Sequence, residues 1–149
     1  MQEDINIINT YSVSIDASVL ISAIGVKDVF TPSSRKFFSQ LSNKQRVIIS
    51  IVAAAETLVV LSRQKAASGD KTLDYLEQFQ IVPLDLPHLK EIFSVFPNRK
   101  LKTSDFLIAA TAVLHQTILV TWDKQLLSPA NTICQTMTPS QYIEECTTK

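Results

Sequence analysis

Short β-branched runs alternate along the chain with longer stretches in which apolar residues recur every three or four positions. Residues 11–15 read as a first strand, and Ala17–Ile24 turn to a helical period that stops near Gly25. Thr31-Pro32 has the form of an N-cap followed by proline at the first helical position, opening a helix that turns Phe37, Phe38 and Leu41 inward until Asn43. Residues 46–50 form a second strand, and Ser50 is placed to cap a long helix from Ile51 to about Ala67. Ser68-Gly69-Asp70 stops that helix and starts another, with Leu73, Leu76 and Phe79 at core spacing. Residues 81–84 are a third strand. Pro87 opens a helix through Phe96 that Pro97 closes, and Thr103 is placed to cap residues 104–115, whose Leu107, Ala110, Val113 and Leu114 make an apolar stripe. Residues 118–121 give a fourth strand, 132–134 a short fifth, and 139–145 a terminal helix.

Strand–helix alternation of this kind predicts an α/β fold: three layers, α/β/α, around a central parallel sheet of four or five strands. Residues 1–149 read as one domain, without internal repeats, because one core serves about 100–200 residues. The acidic start, Met-Gln-Glu-Asp, lacks the form of a signal peptide. The longest apolar stretch, from Val47 to Leu61, is interrupted by Glu56 and falls short of the ~20 apolar residues that span a bilayer. Cys134 and Cys146 suit a reducing compartment at least as well as one disulfide. The expectation is a soluble, cytoplasmic domain with no membrane attachment.

Charge and motifs exclude several chemistries. Fourteen Lys and Arg balance fourteen Asp and Glu, so nucleic acid is not gripped by bulk charge, although a nuclease with a local basic rim remains possible. Gly25 and Gly69 are the only glycines, too few for a dinucleotide fingerprint or a phosphate-binding P-loop. No Gly-x-Ser-x-Gly elbow occurs, and the two Cys and two His have no zinc-site spacing. His115, near a helix end, reads as a complement to the helix dipole rather than a catalyst.

Four carboxylates stand apart from the other acids. Asp16 ends the first strand and Asp123 lies just past the fourth, so both fall at the carboxyl edge of the sheet, where ligands of such folds sit. Glu56 is flanked at helical spacing by Val52, Ala53, Val59 and Val60 and has no ion-pair partner on its own helix. Asp105 opens an otherwise apolar helix. Taken singly, Asp16 and Asp123 read as caps or loop residues and Asp105 as a dipole complement. Glu56 resists such an account, since an unpaired carboxylate on an apolar face is costly to desolvate. Converging on one sheet edge, four acids stay ionised only if cations neutralise them, and hard oxygen ligands select Mg²⁺ or Mn²⁺. The matching chemistry is metal-assisted phosphodiester hydrolysis.

Asp16-Ala-Ser18 after a strand, Glu56 in Ala-Ala-Ala-Glu-Thr-Leu, Ser104-Asp105-Phe-Leu-Ile-Ala-Ala-Thr-Ala, and Leu-Val-Thr121-Trp-Asp123 resemble the PIN domain. They look most like the stand-alone, VapC-like ribonucleases of prokaryotic toxin–antitoxin pairs, from about Tyr11 to Tyr142. The resemblance implies a divalent-metal endoribonuclease acting on structured RNA, frequent homodimerisation, and a cognate antitoxin protein as a possible partner. It matches Asp16, Glu56, Asp105 and Asp123 to the family's acidic catalytic and metal-site residues, and Ser18 and Thr121 to the hydroxyls that support the first and last acids. Many relatives carry a further acid and a Phe after the last motif, where this chain has Lys124, Gln125 and Leu126. Arg99, Lys100, Lys102 and Lys124 flank the acidic motifs and could bind RNA phosphates, or form a solvated basic loop. Trp122 reads as a core or rim aromatic, with base stacking as its alternative. The amphipathic helices bearing Phe37, Phe38, Leu73, Leu76 and Phe79 carry more apolar surface than a small sheet obviously needs, which argues for a homodimer, with a place in the core as the alternative reading.

Other acid-edged α/β folds fit less well. A phosphoacceptor receiver wants two adjacent acids after its first strand, and a haloacid-dehalogenase-type phosphatase wants Asp-x-Asp; here Asp16 is followed by Ala17 and Ser18. The stronger alternative to an enzyme is a catalytically silent PIN-like module that binds RNA or protein.

Overall fold

The structure, a computed structural model, describes residues 12–43, 45–65, 67–96, 100–128 and 133–147. Among them, five parallel strands form one sheet: β1 (Val13–Ile15), β2 (Val47–Ser50), β3 (Gln80–Val82), β4 (Ile118–Val120) and β5 (Thr136–Met137), in the order β3-β2-β1-β4-β5. The connecting helices are α1 (Ala17–Ile24), α2 (Thr31–Gln40), α3 (Ile51–Gln64), α4 (Gly69–Leu76), α5 (Leu86–Val95), α6 (Thr103–Leu114), α7 (Lys124–Leu127) and α8 (Pro139–Thr147). This is the expected three-layer α/β/α arrangement, with the sheet at five strands.

Burial on both faces explains why the strands read as unbroken apolar runs rather than alternating ones. Val13, Ile15, Ile48, Ile49, Leu119 and Val120 are all fully buried. Val13 pairs with both Val47 and Ile118, which makes β1 the centre of the sheet. The chain steps outward from β1 to β2 and β3, then returns to β4 on the other side. That reversal leaves a crevice at the carboxyl ends of β1 and β4. In the core beside it, Phe37 meets Phe38 and Tyr142 edge-on at centroid distances of 5.3 and 5.0 Å. A smaller cluster of Ile92, Phe106 and Ala110 joins α5 to α6.

Local signals placed most helices, and the departures have local causes. The Ser50 hydroxyl accepts the Ala53 N–H at 3.0 Å and caps α3 as expected. The helix ends at Gln64 rather than near Ala67, because Lys65 turns to a left-handed conformation (φ 52°). Thr31 and Thr103 are first helical residues, not caps; the cap positions fall on Phe30 and Lys102. Thr31 instead ties α2 to the end of α1, its hydroxyl donating to the Ser22 carbonyl at 2.8 Å. Leu73, expected inward, is 47% exposed, because α4 buries the Thr72–Leu76 side, where the Thr72 hydroxyl is satisfied by the Ser68 carbonyl. Phe79 lies beyond α4 and rests partly buried against Phe38 and Tyr75. On α6 the buried stripe is Phe106 and residues 108–112, while Leu107, Val113 and Leu114 are only partly covered; small Ala side chains let α3 and β4 approach.

The fifth strand is Thr136–Met137, not residues 132–134. Its two residues are chosen by the register Leu119↔Thr136 and Val120↔Met137, and Ile133 and Cys134 pack against the core from outside the ladder. The expected strand residue Tyr11, Thr132 of the expected fifth strand, and Pro97 lie outside the described residues. Among the described residues no helix is long and apolar enough to cross a membrane.

Candidate active site

Asp16 follows β1 directly and is the N-cap of α1, so the strand–helix junction itself fixes its side chain. It is 4% exposed. Its Oδ2 accepts the Ser18 hydroxyl at 2.6 Å, the Thr121 hydroxyl at 2.8 Å and, more loosely, the Ser18 N–H at 3.4 Å. None of these bonds engages Oδ1, although Asp16 lines the cleft. The two hydroxyls are themselves held: Ser18 Oγ accepts the Trp122 N–H at 3.0 Å, and Thr121 Oγ1 accepts the Asp123 N–H at 2.9 Å. Segments over a hundred residues apart are thereby locked at the β1–β4 crevice.

Asp123 caps α7, a one-turn helix unforeseen in the sequence, with Oδ1 accepting the Gln125 N–H at 2.8 Å. Asp105 sits in the first turn of α6. Glu56 is half-buried in the second turn of α3. Neither Glu56 nor Asp105 has a hydrogen-bond or ion-pair partner among the described residues. The cap and dipole roles foreseen for Asp16, Asp123 and Asp105 therefore hold, yet all four acids line one cleft of about 530 Å³. Cap and dipole roles do not keep Asp16, Asp105 and Asp123 out of the cleft, because a helix N-terminus at the sheet edge is where the backbone best tolerates negative charge.

The acids feel one another. Burial pushes Asp16 above the usual carboxylate range, the Ser18 and Thr121 hydroxyls and the Ser18 N–H pull it back, and Asp123 adds a smaller upward push. Asp105 is raised to about 6, first by burial, then by the charges of Asp123, Asp16 and Glu56, with Lys102 opposing. An oxygen-only set of carboxylates, with no thiol or imidazole in the cleft lining, is the donor chemistry a hard divalent cation takes. Among the described residues no three His, Cys, Asp or Glu side chains stand close enough to make a ready-formed ligand group. Donor type and shared charge fit a cation, and the spacing is open.

The sequence profile of the PIN domain matches residues 13–131, a span that contains all four acids. The chain belongs to the PIN domain family. Comparison with curated protein sequences finds no match. Among solved structures this PIN domain is similar to a toxin–antitoxin complex from Klebsiella pneumoniae, at 21% identity and TM-score 0.66, covering 86% of this chain and 98% of that one. It is also similar to VapC20 of Mycobacterium tuberculosis, a sarcin–ricin-loop-cleaving toxin, at 11% identity and TM-score 0.65, covering 78% and 93%. A third is VapBC2 of Rickettsia felis bound to a fragment of promoter DNA, at 17% identity and TM-score 0.65, covering 85% and 97%. At such identities the likeness speaks for the fold.

Of the other expected contributors to this PIN domain's site, Ser18 lines the cleft, while Thr121 and the described lysines do not. Thr121 is fully buried and acts through Asp16. Lys100, Lys102 and Lys124 are exposed and do not line the cleft, and Arg99 falls outside the described residues. Trp122 is a rim aromatic held by the fold: its Nε1 donates to Ser34 Oγ at 2.8 Å, and its ring stacks on Phe30 at 4.5 Å. Ser34 in turn bonds Ser22. His115 does not complement the α6 dipole as a cation, since burial, Arg46 and His88 all lower its pKa. Arg46 takes that role, donating to the His115 carbonyl at 3.1 Å, with its other terminal nitrogen 3.0 Å from Nδ1. The cleft residue that sequence inspection missed is Arg63. Its signal was there: seven residues after Glu56, it returns to the same face of α3.

Proposed function

We propose that this PIN domain is a divalent-metal-dependent endoribonuclease of the VapC type, the toxin of a toxin–antitoxin pair. The observation that carries the proposal is the one cleft lined by Asp16, Glu56, Asp105 and Asp123, in which burial and then the charges of the other three raise the proton affinity of Asp105. Asp16, Glu56 and Asp105 would hold Mg²⁺ or Mn²⁺, with Asp123 assisting. A bound cation of this kind supplies a water of lowered pKa and neutralises charge on the scissile phosphate.

The chain's own part is positioning. Ser18 and Thr121 hold Oδ2 of Asp16, so the orientation of a carboxylate that would hold the cation is already set by the fold. The Asp123 N–H is bound to the Thr121 hydroxyl, so the last acid is positioned by the group that orients the first. Arg99, Lys100, Lys102 and Lys124 are proposed to meet RNA phosphates around the cleft. An antitoxin that covers the cleft is the proposed protein partner, and the cytoplasm the proposed compartment. A homodimer is proposed too, but on the family likeness alone, because Phe37 and Leu76 are core residues rather than surplus surface.

Two experiments test the reading. Labelled total RNA is incubated with Mn²⁺ and wild type or Asp16→Asn, with chelator as control; cleavage is expected from the wild type with metal and from nothing else. Induction in a host without an antitoxin is expected to arrest growth for wild type and not for Asp16→Asn. No cleavage of RNA by either protein, with RNA or protein binding retained, would make this a silent binding module instead.

A further inference from the structure

Arg63 lies on α3, seven residues after Glu56, and lines the same cleft. Seven residues are nearly two helical turns, so both side chains rise from one face, about 10 Å apart along the axis. The wall between them is apolar, made by Val59 and Val60, and Ala55 and Ile21 of α1 also line the cleft. Among the described residues Arg63 has no ion pair and no hydrogen bond. The cation felt at Asp105 is Lys102, not Arg63. An arginine in a last turn complements the helix dipole, which accounts for the position in sequence but not for a place in the cleft wall.

We propose that Arg63 is a positioning residue that holds a backbone phosphate of the RNA beside the one being cut. The proposal rests on the nuclease reading above and deepens it. A guanidinium presents a planar fork that matches phosphate oxygens two at a time. The apolar wall suits the sugar or base face lying between two phosphates. Along the cleft, a cation-binding acidic end and a cationic end suit a chain that carries anions at regular intervals, with uncharged surface between.

The test is steady-state cleavage of a fluorescent RNA oligonucleotide by Arg63→Gln and Arg63→Lys, with Lys36→Gln on α2 as an equal charge change outside the cleft. Losing one charge-assisted contact is expected to raise KM about tenfold for Arg63→Gln while kcat stays near wild type. The salt dependence of RNA binding is expected to flatten by about 0.7 in log–log slope. Arg63→Lys keeps the charge and loses the fork, so its KM falls between; it also carries the test if Arg63→Gln does not fold. Unchanged KM and slope in both variants, or an equal change in Lys36→Gln, overturns the proposal. If the wild type cuts no RNA, fluorescence anisotropy on the same oligonucleotide separates the two ideas. Weaker binding by Arg63→Gln then upholds Arg63 while the nuclease reading falls, and equal binding removes both. Weaker capture of an acidic peptide with RNA affinity unchanged assigns Arg63 to a protein partner and overturns the proposal as well.

Discussion

The Thr121 hydroxyl donates to Oδ2 of Asp16 at 2.8 Å, joining residues 105 apart in the chain, and accepts the Asp123 N–H at 2.9 Å. One buried oxygen thus orients the first acid of the cleft and the turn that carries the last. Thr121→Val keeps shape and removes both bonds, and it is expected to destabilise the fold by about 1–3 kcal/mol. Urea unfolding at neutral pH measures this. A midpoint matching wild type would show that the network does not hold the crevice together.

Asp105 gives the pH dependence a definite sign. Its pKa is raised to about 6 in the folded chain, against about 3.9 for an unfolded aspartate. The folded state therefore binds this proton more tightly, so the group favours folding increasingly as pH falls from about 6 toward 4 and opposes it above. Without divalent cations, Asp105→Asn is expected to melt above wild type at pH 7.5, with the gap closing near pH 4. A gap independent of pH would mean that charge is not its source.

Glu56→Gln retains shape and hydrogen-bonding capacity while removing one charge. Because Glu56 has no protein partner, apo stability is expected to hold or rise. RNA cleavage at saturating Mn²⁺ is expected to fall by about two orders of magnitude or more, the scale on which misplaced catalytic groups act. Mn²⁺ is also expected to raise the wild-type Tm by more than it raises the variant's. A variant with wild-type rates would take Glu56 out of the site.

Gly25 marks where α1 ends against α3. A Cβ there would stand 2.6 Å from the Ile21 carbonyl oxygen, 2.7 Å from Gln64 Oε1 and 2.9 Å from Leu61. Gln64 can swing away; a backbone carbonyl cannot. Gly25→Ala is expected to lower stability by about 1–3 kcal/mol, as overpacking does, and to loosen the loop whose Val26 N–H donates to Gln64 Oε1 at 3.2 Å. Thermal unfolding checks this, and an unchanged Tm would refute the close approach.

What the sequence determined by itself was carried by neighbours in the chain. Apolar runs of strand length, the Ser50 cap, the break at Ser68-Gly69-Asp70 and the alternation of elements specified a parallel α/β sheet, because each depends on a few adjacent residues and their backbone preferences. Asp16, Asp105 and Asp123 stood out for the same reason, each at a strand end or helix start that local pattern already marked, and Glu56 because its own helix offers it no ion-pair partner. What only the tertiary structure decided depends on partners distant in sequence. The site of β5 follows from the register of β4 rather than from the apolarity of Ile133 and Cys134. The exposure of Leu73 follows from which side of α4 meets the core. The hold of Thr121 on Asp16 and the place of Arg63 in the cleft likewise exist only once β4 and α3 are set around β1. A hydrogen bond or a cleft wall is a relation between positions in space, and the chain order of residues this far apart does not encode it.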